Sequence, residues 1–145
     1  MTWQQVTARL ADQRDYWLST IARDGSPHVS PVWAAFVDED CYLYSERRTV
    51  KARNIAVDPR VVLHPADATD VVIVHGYLDD VGHPRDHDKA LAAFASKYRL
   101  PHDQAFLPTH DPDFDVLYLL RPVRALMWRL GDYDASQRRW NADPD

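Results

Sequence analysis

The chain has 145 residues, of which 46% are hydrophobic and 27% charged, a mixture that argues for one globular domain over residues 1–145 and against disorder. Its formal net charge of −5 argues against a general nucleic-acid binder. No apolar run approaches the roughly 18 residues that span a bilayer, and the longest, 32–37, has the length of a strand.

In chain order, Thr2 to Arg14 reads as a helix, with Trp3, Val6 and Leu10 at helical spacing and Thr2 and Gln5 as a capping box. Tyr16 to Ala22 and His28 to Val37 read as the strands of a hairpin around Arg23-Asp24-Gly25-Ser26. Pro31 implies a bulge or an absent ladder bond in the second strand. Cys41 to Ser45 follows as a strand and Thr49 to Val57 as a short helix, ended by Asp58-Pro59. Arg60 to His64 and Val71 to Val81 are strands, and Pro84 to Tyr98 is a surface helix with Ala90, Leu91, Phe94 and Ala95 on one face. Leu100 to Pro112 reads as a loop. Phe114 to Leu120 and Val123 to Leu130 finish the sheet before a polar tail that carries Trp140. Short strands, tight turns and few crossovers predict a mainly β, α+β fold: an antiparallel barrel of about seven short strands with short flanking helices.

The N-terminus lacks the basic-then-apolar order of a secretory signal, and lone Cys41 offers neither a disulfide nor a thiolate metal site, so a cytoplasmic setting is expected. Residues 46–53 (ERRTVKAR) hold four basic residues and one acid, a net +3 that leaves −8 on the remainder. Such a spot on an acidic protein suits a small anionic ligand. It lies where a strand ends and a helix begins, and a helix N-terminus attracts phosphate. Thr49 is placed to cap that helix, and Arg48 and Lys51 to reach the same anion.

The order YWLSTIARDGSPHVSPVW, YLYSERRTVKARNIAVDPRVVL and DVVIVHGYL resembles the pyridoxamine 5′-phosphate oxidase-like, flavin-binding split-barrel family. The likeness is strong from Tyr16 to Leu78 and weaker onward to Trp128. It implies a six-stranded antiparallel split barrel that forms a homodimer with two cofactor sites between the subunits, and either FMN or the deazaflavin coenzyme F-420 as cofactor, with no metal. His28, Val29, Ser30, Pro31, Val32 and Trp33 would line the ring system, and Tyr44 and Ser45 would lie near the ribityl chain and phosphate. Arg48, Thr49 and Lys51 would hold the phosphate, with Arg47 and Arg53 free for a further negative tail. Trp33 and Trp128 are candidates for walling a ring pocket, Trp128 more simply as packing. The family's vitamer oxidases carry arginine where this chain has Val50, and the tail SQRRWNADPD does not supply their vitamer-binding groups. The resemblance therefore implies hydride transfer to some other small conjugated molecule. The alternative is a non-catalytic binder of a flavin or haem-like ring. No residue is named as catalytic.

Other constellations are better explained as structure. His83 and His87 are four apart but lack a third ligand at motif spacing, and Asp79-Asp80 and Asp111, Asp113 and Asp115 fit turns. Cys41 lacks cationic neighbours, and neither G-x-S-x-G nor a glycine-rich phosphate loop is present.

Overall fold

A computed structural model describes residues 1–143. Eight strands form one antiparallel sheet: β1 (Tyr16–Ile21), β2 (Pro27–Val32), β3 (Ala34–Val37), β4 (Asp40–Ser45), β5 (Arg60–Pro65), β6 (Asp70–Asp80), β7 (Val116–Arg129) and β8 (Arg138–Asn141). Their order is β2-β1-β5-β6-β7-β4-β3, with β8 paired to β7. The two outermost strands of that path, β2 and β3, are consecutive in the chain with only Trp33 between them. The sheet must therefore curl until its ends meet, which is the predicted split barrel. Four α-helices flank it: α1 (Trp3–Ala11), α2 (Val50–Val57), α3 (Asp88–Lys97) and α4 (Tyr133–Ser136).

The barrel interior holds Leu18, Leu43, Leu63, Val72, Val74 and Met127, closed at one side by Val6 and Leu10 of α1. The reciprocal Thr2–Gln5 capping box starts that helix as expected. A second cluster forms outside the barrel, where Ala90, Phe94 and Tyr98 cover Ala35 and Leu117. The first half of β7 is thus buried on both faces, the physical reason for its unbroken run from Val116 to Leu120.

Five elements differ from the sequence reading. The expected strand 28–37 breaks at Trp33, while its register runs regularly through Pro31. Proline is accommodated there because β2 pairs only with β1. The two expected terminal strands are one strand. Its inward residues change from even (Val116, Tyr118, Leu120) to odd (Ala125, Met127) because the register shifts opposite His75 and Gly76. Helix 84–98 is divided at His87 into a 3-10 turn and α3, and the loop 100–112 contains a 3-10 segment, Pro101–Phe106. The polar tail supplies β8, whose Trp140 packs on Trp3 with ring centroids 5.0 Å apart.

At the register shift the two backbones crowd. A Cβ on Gly76 would lie 2.3 Å from the carbonyl oxygen of Arg121. Gly76→Ala must displace backbone and is expected to cost about 2–3 kcal/mol, read as a lower urea midpoint with an unchanged slope.

Candidate functional site

A cavity of about 670 Å³ opens where the end of β2, the end of β4 and the start of α2 converge. Pro31, Val32, Trp33, Tyr44, Ser45, Thr49 and Lys51 all line it, joined by Asp15, Tyr16, Trp17, Glu46, Ala66, Phe106 and Phe114. Segments far apart in sequence meet here because the sheet curls until its β2 end comes round toward its β4–β3 end.

The polar side is built on α2. Thr49 caps the helix, accepting from Ala52 N at 3.3 Å and donating to Glu46 O at 2.8 Å, and its hydroxyl lies 3.1 Å from that of Ser45. The helix is pinned to the barrel by a buried hydrogen bond from Asn54 Nδ2 to Thr20 Oγ1, 3.1 Å. Lys51 is half-buried against the cavity and makes no hydrogen bond or ion pair among the described residues. Burial holds its pKa below that of a free lysine, with Glu46 acting weakly in the other direction. A cation partly stripped of water with no counter-ion is costly unless an anion arrives.

The apolar side is a stack of rings. Trp33 lies on Tyr98 with centroids 4.0 Å apart and planes 6° apart, and Phe106 meets Trp33 edge-on at 6.4 Å. Tyr44 packs edge-on against Phe94 at 4.8 Å and Phe114 at 4.9 Å, and its hydroxyl donates to Phe106 O at 2.6 Å. Burial raises the pKa of Tyr44 and Tyr98, so both remain phenols. Behind the stack, the Arg14 guanidinium sits 5.1 Å from the centre of the Tyr98 ring and pairs with the fully buried carboxylate of Asp103. That carboxylate also accepts from Leu100 N at 3.0 Å, tying the segment that carries Phe106 to the rest of the wall.

The remaining expected site residues lie elsewhere. His28 and Ser30 share the inward face of β2 with Val32, opposite Thr20 and Leu18, and the buried Ser30 hydroxyl has no partner. Val29 points outward and is 55% exposed. Arg47 is held in a bidentate pair with Asp80 at 2.6 and 3.1 Å and, with Arg53, lines a different depression beside Tyr118. That pairing raises the Arg47 pKa and lowers that of Asp80. Arg48 turns to Glu46, with Nε–Oε2 2.6 Å. Trp128 packs edge-on against Tyr133 at 5.7 Å, outside the cavity lining. His83 Nδ1 accepts from Arg85 N, His87 Nε2 donates to Val81 O, and the buried Cys41 thiol is pushed up to about 12 by burial. Phe106, Phe114, Trp17 and Asp15 were not anticipated, because nothing local in the sequence marks a loop phenylalanine as facing a cavity across the sheet.

The family model for pyridoxamine 5′-phosphate oxidase matches residues 2–128. The chain belongs to this family. A search of curated proteins returns no match. Among solved structures, the chain is similar to the conserved hypothetical protein Rv2991 from Mycobacterium tuberculosis (TM-score 0.73, 21% identity, covering 89% of this chain and 85% of that one). It is also similar to an F-420 reductase (TM-score 0.64, 24% identity, 81% and 93%). A third similar structure is a heme binding protein from Mycobacterium smegmatis, of which this chain spans 58% (TM-score 0.73, 16% identity, 97% of this chain). The family and its fold are thus established for this chain, at identities where structural likeness speaks for the fold alone.

The ion pair behind the ring stack has a measurable signature. Its Asp103 carboxyl is driven up by burial but held below the usual carboxylate range by Arg14 and Leu100 N–H. Its contribution is therefore present above about pH 4 and lost as pH falls through the lower folded pKa. Asp103→Ala is expected to cost about 2 kcal/mol at neutral pH, and less as the medium is acidified, in urea melts across pH.

Proposed function

We propose that this family member is an oxidoreductase that binds FMN or the deazaflavin coenzyme F-420 in the 670 Å³ cavity and serves a small conjugated molecule. The observation that carries the reading is Lys51, a half-buried cation with no partner among the described residues, beside the N-terminus of α2 in a cavity walled on its other side by rings. A phosphate monoester fits this corner: Lys51 supplies charge, the first turn of the helix supplies unpaired N–H groups, and Ser45 and Thr49 supply hydroxyls. Pro31, Val32 and Trp33 offer the flat apolar surface a tricyclic ring requires. The cofactor, when bound, supplies hydride transfer. The residues of this chain orient it, keep water from its face and retain their protons, since Tyr44 is committed to Phe106 O. A haem-binding reading is less well supported, because the cavity lining contains neither histidine nor cysteine.

Lys51→Ala is expected to weaken FMN and F-420 binding by roughly tenfold or more in fluorescence titrations, in line with loss of one charge-assisted contact. Unchanged affinity for both would remove the phosphate corner. The protonated amine is the binding form, so wild-type affinity should fall as pH rises, and should begin to fall at a lower pH than for an ordinary lysine near 10.5.

We also propose that the working form is a homodimer with the cavity at its interface. Trp17 (39% exposed) and Val29 (55%) present an apolar outer sheet face beside the cavity, and a second depression nearby is lined by Ile21, Pro27, Tyr77 and Val123. Val29→Asp, outside the cavity lining, is expected to halve the mass seen by light scattering and to weaken cofactor binding with it. A wild-type chain that runs as a monomer while binding either nucleotide would end the dimer reading.

A further inference from the structure

Two residues of the cavity wall, Phe106 and Phe114, come from the segment 98–115 that joins α3 to β7. The others belong to the barrel strands, the turns beside them and the start of α2. The segment is fastened at both ends. Near its start, the buried Asp103 carboxylate takes Arg14 and Leu100 N, and the Gln104 side chain donates to Tyr98 O and Leu100 O at 3.2 Å each. At its end, Asp115 accepts from Arg47 N at 2.7 Å, and Asp115 N donates to Ser45 O at 3.2 Å.

Between those fastenings the backbone is tied to the barrel at one point. Among the described residues, the hydrogen bonds of 105–114 run within the segment itself, except that the Tyr44 hydroxyl donates to Phe106 O at 2.6 Å. Leu107 is buried with Phe94 and Tyr98 and can serve as a pivot. Phe106, beside it, keeps its ring 57% exposed and meets Trp33 with the two planes 90° apart. The Tyr44 ring is held separately by its edge-on contacts with Phe94 and Phe114, so its hydroxyl can be removed without removing that packing.

We propose that the Tyr44 hydroxyl is the latch of a gate: through Phe106 O it holds residues 105–114 closed over the cavity, and ligands pass when that bond opens. Besides walling the cavity, Tyr44 is then a positioning residue that acts through Phe106. The inference rests on the cofactor reading above for the identity of the ligand that passes. A latch that closes the empty and the loaded cavity alike slows entry and exit by the same factor and leaves affinity unchanged. Loss of a direct contact to the ligand raises the exit rate alone.

Stopped-flow fluorescence with FMN and the full chain separates the two cases. Tyr44→Phe is expected to speed association and dissociation by about fivefold each, the worth of one neutral hydrogen bond, with the dissociation constant changed by less than about twofold. Phe106→Ala should also raise both rates, and the double variant Y44F/F106A should be no faster than F106A. In the chain without ligand, hydrogen–deuterium exchange of 105–114 should quicken by about fivefold in Tyr44→Phe while α3 and β7 exchange as before. Faster dissociation with unchanged association, additive rates in the double variant, or exchange that is unaltered in 105–114 or raised equally in α3 and β7 would overturn the proposal. If neither FMN nor F-420 binds the wild-type chain, the cofactor reading falls, and the exchange of 105–114 decides the latch by itself.

Discussion

The constraint on which this molecule turns is topological: the first and last strands of the hydrogen-bonded path are neighbours along the chain, with one residue between them. A sheet so connected has to curl, and Trp33 is the point where its ends are joined. The residue is correspondingly immobilised, stacked flat on Tyr98, whose hydroxyl donates to Arg14 O at 2.7 Å and accepts from Ala34 N at 3.1 Å. The junction that closes the barrel is therefore also one wall of the cavity, and anything that loosens the closure loosens the wall.

Two kinds of surface meet in that cavity. On one side a short helix, capped by Thr49 and anchored through Asn54 to Thr20, presents a lysine whose charge has no internal partner. On the other, rings from three separate parts of the chain are locked by a buried ion pair and by the hydroxyl of Tyr44. The basic run from Glu46 to Arg53 is not a uniform patch: its four cations are sorted by orientation, Arg47 to Asp80, Arg48 to Glu46, Arg53 to the depression beside Tyr118, and Lys51 alone toward the cavity. Pairing with a carboxylate both fixes an arginine and cancels most of its pull on a distant anion. One unpaired lysine in a confined site does more for an anion there than two arginines already engaged with carboxylates.

The route from family to function is narrower than the route from sequence to family. The family match over residues 2–128 accounts for the barrel. The cavity itself is lined in part by loop residues, among them Phe106 and Phe114.

The sequence by itself determined the mainly β fold, the caps of the first two helices and, among the cavity lining, Pro31 to Trp33 with Tyr44, Ser45, Thr49 and Lys51, because these depend on local propensity and on a short contiguous motif. Strand continuity escaped it at two places. A side-chain alternation that changes parity reads as two strands, whereas Gly76 opposite Pro122 lets one strand absorb the extra residue. Tertiary structure alone decided which cations are free and which loop residues reach the site. Arg47 and Asp80 are 33 residues apart, and Arg14 and Asp103 are 89, so their pairing follows from how the sheet closes and leaves no local trace in composition or spacing.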